Sequence, residues 1–328
     1  MEFDLIEALR TRANLRRGDV VLAIGDDAAV LDVPSGVQLV ACTDTMVAGV
    51  HFLEGTGAAD LGWKSLAVNL SDLAAMGAEP LWALLALTLP EADGEFVDGF
   101  GQGFAELAGK YQVALVGGDT TQGPLAITVT ALGTVPLGRA LRRGGAHEGD
   151  AVFVTGTLGD AAGALRLIRD LGPGTRDPDK QAALRSQSTL VQRMHRPEPR
   201  VAAGRALREI ASACIDVSDG LLADLGHVCT ASGVAAELDV DALPVSAELR
   251  AQFDEATCRG FALAGGDDYE LCFTAPAERE SAIAAALMQT GCRATRIGRI
   301  VAGLDVRVLD ANGDRIDTPN AGWEHFSQ

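Results

Sequence analysis

Along the chain, short runs of β-type apolar residues alternate with longer stretches of helical periodicity. In the first half the pattern predicts strands at Val20–Ile24, Gln38–Thr43, Leu84–Leu89, Ala114–Val116 and Leu125–Val135, and helices at Asp60–Met76 and Glu91–Tyr111. In the second half it predicts strands at Ala151–Thr155, Ala235–Leu238, Glu270–Thr274, Thr295–Ile300 and Val306–Leu309. Helices are expected there at Asp160–Arg169, Ala182–Gln192, Pro199–Glu209, Gly220–Ser232 and Glu278–Gln289. Such alternation calls for mixed α/β layers rather than an all-helical or all-β fold. The basic, glycine-containing stretch PLGRALRRGGAHEG, Pro136 to Gly149, reads as a domain connection. Two domains are expected, 1–137 and 138–328, with Pro173–Lys180 a turn-rich surface loop inside the second. There is no short-period repeat of the solenoid kind.

Composition narrows the class. The 328 residues carry 27 basic and 45 acidic side chains, a formal charge of −18, with 48% hydrophobic residues. That is enough apolar material for two cores, too much for disorder, and the wrong charge for coating nucleic acid. The longest apolar run, Leu81 to Leu89, is far short of the roughly 20 residues that cross a bilayer. The start, MEFDLIEALR, is acidic where an export signal is basic and then apolar, so a cytoplasmic protein is expected, with no membrane partner. Cys42, Cys214, Cys229, Cys258, Cys272 and Cys292 form no C-x-x-C pair and read as buried free thiols.

The acidic residues are placed in a pattern. LAIGDD (22–27), VACTD (40–44), LVGGD (115–119), ACIDVSD (213–219) and LAGGDD (263–268) each run from apolar residues, taken as a strand or its end, through small residues to a carboxylate. One such site is ordinary turn chemistry, with Asp bonding local backbone. Five together point to hard oxygen ligands for Mg²⁺ at strand ends, where α/β sheets collect ligands. On the helix over 60–76, Leu66, Leu70, Leu73 and Ala74 make an apolar face, while Ser65, Asn69 and Asp72 share another. Those short polar side chains suit a tight, partly enclosed site. NLSDLAAMG at 69–77 also echoes DVSDGLLADLG at 216–226. No G-x-x-x-x-G-K-[ST] loop, G-x-G-x-x-G turn, kinase H-R-D or D-F-G set, zinc-spaced histidines or serine nucleophile elbow is present. Any nucleotide use must follow another design.

Taken together, GDDAAVL (25–31), TDTMVAGVHF (43–52), KSLAVNLSDLAAMGAEP (64–80), GGDTTQGPLAIT (117–128), VTGTLGDAA (154–162), RPEPR (196–200), IDVSDGL (215–221) and GGDDYEL (265–271) resemble the thiamine-monophosphate kinase family. The resemblance extends from about Leu5 to the C-terminal GWEHF. The single Asp motifs are shared with the wider aminoimidazole ribonucleotide synthetase-like superfamily, which includes selenophosphate synthetase.

The resemblance implies a two-domain α/β fold, each domain a mixed sheet packed with helices. The N-terminal domain would bind ATP and Mg²⁺ and form a homodimer through its sheet, and the C-terminal domain would complete the active site. The implied activity is ATP-dependent conversion of thiamine monophosphate to thiamine diphosphate by direct γ-phosphoryl transfer, assisted by several Mg²⁺ ions. The metal residues it implies are Asp27, Cys42, Thr43, Asp44, Asp72, Asp119, Asp216 and Asp219, with Asp44 and Asp72 central to catalysis. Tyr111, Gly118, Asp119, Arg143 and Ser218 would contact ATP, and His51, Asp267 and Trp323 would bind thiamine monophosphate. Two positions depart from the family pattern: Cys42, where Ser or Thr commonly precedes the Thr-Asp pair, and Asp267, where Glu is frequent. Cys42 would then serve through its carbonyl or leave a position to water, and Asp267 would reach its ligand through a bridging water. Another ATP-using enzyme of the superfamily is the second reading. Selenophosphate synthetase would be expected to carry a reactive Cys and nearby Lys in its N-terminal segment, and no Cys precedes Cys42. A nucleotide or thiamine-phosphate binding protein without turnover is the third.

Overall fold

A computed structural model describes residues 2–13, 15–170 and 189–318. They fall into two compact units, 1–73 with 78–140, and 74–77 with 141–328.

The first unit runs α1 (Glu2–Arg12), β1 (Val20–Leu22), β2 (Val30–Leu31), β3 (Val37–Val47), α2 (Ala58–Ala75), β4 (Glu79–Leu89), α3 (Gly94–Tyr111), β5 (Ala114–Gln122) and β6 (Ala126–Pro136), the last turn of α2 and residues 76–77 being counted with the second unit. Its four-stranded sheet has the order β3-β6-β4-β5, with β4 and β5 parallel and the other pairs antiparallel. β3 and β6 stay in register from Val37 opposite Pro136 to Val47 opposite Ala126. Helices α2 and α3 touch backbone to backbone. A Cβ at Gly62 would stand 2.0 Å from the Phe100 carbonyl oxygen, and one at Gly103 would stand 1.8 Å from that of Ala59, so only glycine fits either place. Phe100, Phe104 and Leu107 of α3 are fully buried. Asp93 starts that helix by accepting the Phe96 N–H at 2.9 Å.

The second unit continues with β7 (Asp150–Thr155), α4 (Asp160–Asp170), α5 (Thr189–His195), α6 (Val201–Leu207), β8 (Ala213–Asp216), α7 (Leu221–Ser232), β9 (Ala235–Asp239), α8 (Ala247–Gln252), α9 (Glu255–Ala264), β10 (Leu271–Pro276), α10 (Glu280–Met288), β11 (Ala294–Val301) and β12 (Val306–Leu309). Its six-stranded sheet has the order β12-β9-β11-β7-β10-β8, antiparallel except for β12 beside β9. Strand alternation sorts the two faces. Val152, Val154, Ile215 and Leu238 join Leu221 and Leu225 of α7 in one core, while Phe153 and Phe273, opposite each other in register, stack at 5.3 Å on the other face.

Two layered α/β units therefore stand as expected, but several boundaries move. β3, β4 and β5 outrun their apolar runs because ladder pairing carries them through polar and glycine residues: Gly117 to Gln122 pair with Leu84 to Leu89. Asp44 and Asp119 consequently lie within strands rather than at their ends. The run before Asp267 is no strand, since Leu263 and Ala264 close helix α9. Of the five apolar-to-Asp junctions, Asp216 is the one that ends a strand. Helices α1, α8 and α9 and strand β2 were not anticipated. The Pro173–Lys180 loop and residues 182–188 of the expected helix lie outside the described residues; α5 covers the rest of that helix. Among the described residues no helix is long and apolar enough to cross a membrane.

Candidate active site

In the first unit, alternation along β3 turns Cys42 and Asp44 to one face and Thr43 to the other. On the first face the Cys42 thiol donates to the Asn69 carbonyl of α2, with Sγ to O at 3.3 Å. Burial, and then the charges of Asp72 and Asp44, push this thiol well above its usual range, so it stays protonated. Cys42, Asp44 and Asp72 thus share one neighbourhood. Thr43 bonds the Val129 carbonyl at 3.2 Å and the Thr130 hydroxyl at 3.0 Å. Asn69 and Ser65 are buried and serve the helix itself: the Asn69 amide donates to the Ser65 carbonyl, and the Ser65 hydroxyl to that of Gly62.

The other first-unit candidates sit on turns and strand backbone. Asp27 is exposed, its N–H donating to the Asp26 carboxylate at 2.8 Å. His51 accepts the Val47 N–H on Nδ1 at 3.0 Å, which places the proton of the neutral ring on Nε2. Tyr111 ends α3, half-buried, with the Lys110 ammonium 5.8 Å from its ring. Gly118 brings β5 against β4 so closely that a Cβ would stand 1.9 Å from the Leu85 carbonyl oxygen. Asp119 follows, exposed and opposite Ala86.

In the second unit, β8 delivers Asp216, 4% exposed, into a turn of Val217, Ser218, Asp219 and Gly220 that opens α7. Asp224, in the first turn of that helix, folds back so that its Oδ2 accepts the N–H groups of Ser218, Asp219 and Gly220 at 3.0, 3.1 and 3.2 Å. Burial, and next the charges of Asp216 and Asp219, push the Asp224 carboxyl up to about 7. Arg143 is exposed, on a segment whose backbone is fixed by Arg142 accepting the Cys214 N–H at 2.8 Å and by Ser232 donating to the Arg143 carbonyl at 3.3 Å.

The segment from Gly265 to Glu270 lies against that turn. The Asp267 N–H donates to the Ser218 carbonyl and the Tyr269 N–H to that of Val217, both at 2.8 Å. Asp267 and Tyr269 both have left-handed backbone, φ 68° and 50°, where side chains other than glycine's are strained. Glu270 is buried against Arg200, which donates to its two oxygens at 2.7 and 2.5 Å, and against the Thr155 hydroxyl at 2.6 Å. Motif spacing singles out Asp267; the structure adds Asp224, which accepts from the turn just before its own helix, Asp268, which accepts from Gly159, and Tyr269, whose hydroxyl donates to Asp267.

Asp268 exposes part of its surface while its carboxyl group is enclosed, accepting the Gly159 N–H at 2.8 Å at the start of α4. Burial first, then the charges of Asp160 and Glu270, hold it well above the usual carboxylate range, against the lowering effect of the Gly159 and Ala161 N–H groups. Its folded pKa therefore exceeds its unfolded value of about 4. The stability it contributes is full below that value and is lost as pH rises through the folded pKa. In Asp268→Asn that titration is gone. The melting temperature of the variant relative to wild type is expected to climb as pH rises above about 4. A difference that stays flat with pH in thermal melts would refute the raised carboxyl.

Among the described residues, no three His, Cys, Asp or Glu side chains are gathered closely enough to enclose a metal ion by themselves. Trp323 lies outside the described residues.

Residues 25–135 match the family model of AIR synthase related protein, N-terminal domain, and residues 147–310 match that of its C-terminal domain. The chain is 45% identical to thiamine-monophosphate kinase of Salmonella typhimurium over 326 residues, 99% of this chain and 98% of that protein. The crystal structure of thiamine-monophosphate kinase from Stenotrophomonas maltophilia superposes with a TM-score of 0.84 at 50% identity, covering 96% of this chain and 98% of that one. AaThiL complexed with AMPPCP and TMP superposes with a TM-score of 0.76 at 34% identity, covering 99% and 97%.

Proposed function

This chain belongs to the AIR synthase related protein family, and from that membership we propose that it transfers the γ-phosphoryl group of ATP directly to the phosphate of thiamine monophosphate, giving thiamine diphosphate and ADP. The observation that carries the reading is full-length identity of 45% to a kinase of that name, in a chain that keeps every carboxylate of the motif set. The acceptor is a phosphate oxygen, already ionised at neutral pH, so the chain needs no strong general base. Positioning and charge neutralisation account for the rate.

Mg²⁺ suits the side chains present. Asp44 and Asp72 are hard oxygen donors whose joint negative charge already acts on Cys42, and one or two carboxylates completed by phosphate oxygens and water make an ordinary Mg²⁺ site. When bound, the metal supplies positive charge beside the phosphates of ATP and acceptor. Asp27, Thr43, Asp44, Asp72, Asp119, Asp216 and Asp219 would hold the ions, with Cys42 serving through its carbonyl or leaving that position to water. Tyr111, Gly118, Asp119, Arg143 and Ser218 contact ATP, the Arg143 guanidinium offering a fork to phosphate. His51, Asp267 and Trp323 bind thiamine monophosphate. The first unit carries Asp27, Cys42, Thr43, Asp44, Asp72 and Asp119 and a homodimer surface; the second carries Arg143, Asp216, Ser218, Asp219 and Asp267. Leu39 and Leu84, exposed on the sheet face that also bears Thr43 and Thr130, support pairing through that sheet. Six free thiols support a reducing, cytoplasmic setting, and the charge of −18 speaks against nucleic acid.

Purified protein with ATP, Mg²⁺ and thiamine monophosphate is expected to form thiamine diphosphate and ADP in equal amounts, resolved by liquid chromatography. Absence of thiamine diphosphate sinks the kinase. Tight binding of both ligands by calorimetry without ADP release would establish a binding protein instead.

A further inference from the structure

We infer that Tyr269 is a positioning residue that fixes the Asp267 carboxylate for the phosphoryl acceptor. The inference rests on the kinase reading and goes one step deeper into its acceptor site. The Tyr269 hydroxyl donates to Asp267 Oδ1 at 2.8 Å, and the ring is itself anchored, with the residue 8% exposed. Both residues hold left-handed backbone, φ 68° and 50°, a conformation that is unfavourable for non-glycine residues and persists only where the surroundings enforce it.

The enforcement is visible. The N–H groups of 267 and 269 are tied to the carbonyls of Ser218 and Val217, each at 2.8 Å. The segment bearing the acceptor-binding carboxylate is thus stitched by backbone to the turn bearing Ser218 and Asp219. With the main chain fixed, side-chain torsion is the freedom left to Asp267, and the Tyr269 hydroxyl restrains it. A phenol does so as a neutral donor, whereas Arg or Lys in the same place would bring a positive charge into competition with the cationic ring of the acceptor.

Tyr269→Phe removes one oxygen and no backbone bond. Steady-state kinetics are expected to show KM for thiamine monophosphate raised about tenfold. KM for ATP should stay within about twofold and the melting temperature within about 2 °C, which separates positioning from general loosening. If Tyr269 acts through Asp267, Tyr269→Phe adds nothing further in an Asp267→Asn background. An unchanged KM for thiamine monophosphate in Tyr269→Phe overturns the inference while leaving the kinase intact. A parallel rise in both KM values with a fall in melting temperature also overturns it, in favour of a structural role. Wild-type protein that forms no thiamine diphosphate overturns both.

Discussion

Asp44→Asn is expected to lower turnover by about 10³-fold or more while leaving the fold in place, since on the proposed metal role of Asp44 the loss of one carboxylate costs about 4 kcal/mol of transition-state stabilisation. Asp44 sits in the middle of β3, opposite Val129, in a ladder that runs unbroken from Val37 to Val47. An isosteric amide leaves that ladder untouched. It removes one of the two carboxylate charges near the Cys42 thiol while keeping the shape of the side chain. The fold should therefore persist as activity collapses. Steady-state kinetics with Mg²⁺ held in excess, alongside a thermal melt, tests both halves. Activity near that of wild type would take Asp44 out of the metal set.

The second large effect is on stability. Arg200→Ala is expected to destabilise the protein by about 3 kcal/mol or more, the usual cost of stranding one member of a buried ion pair. Glu270 has little room to escape. It takes two hydrogen bonds from Arg200 and one from Thr155, and a Cβ on Gly156 would come within 2.0 Å of its Oε1. Burial alone would push the Arg200 guanidinium down, yet its hydrogen bonds to Glu270 and the charge of that residue leave it above its ordinary value. For a unit of this size the loss corresponds to a melting-temperature drop of about 10 °C. Adding Glu270→Gln to Arg200→Ala should recover part of it, because the buried charge left without its partner is then gone. A single-variant melt within about 2 °C of wild type would show that the pair contributes little.

Both sites were partly legible in the sequence, for different reasons. VACTD and IDVSDGL announce themselves because carboxylates interrupt apolar runs, a local signal. Where those runs lie in strands was also readable, and Val306–Leu309 emerges with the expected ends. Strand length was not, because Gly117 to Gln122 are extended by pairing with β4 rather than by their own propensity. Helices α8 and α9 were overlooked; what starts each is a capping oxygen, the Ser246 hydroxyl accepting the Leu249 N–H and the Asp254 carboxylate that of Thr257. RPEPR could be recognised as a motif, but that its last residue closes on Glu270, 70 positions away, depends on topology. The roles of Asp224 and Tyr269 are local instead: Asp224 accepts from the turn of Ser218 to Gly220 just before it, and the Tyr269 hydroxyl reaches Asp267 two positions away, both once the turns have taken shape.

Asp224 and Asp268 occupy the starts of α7 and α4, taking up N–H groups that in many phosphate-binding proteins are offered to the ligand. Acceptor oxygens of the protein itself, on carboxyls that burial raises above the ordinary range, thus close these helix starts, and the loops they hold keep their shape before any nucleotide arrives. Docking onto such loops requires little loss of chain freedom, so binding should carry the calorimetric signature of a rigid receptor, with a heat-capacity change no larger than the buried surface demands. The free energy of ligand association is then left for aligning two phosphates rather than for ordering the polypeptide around them.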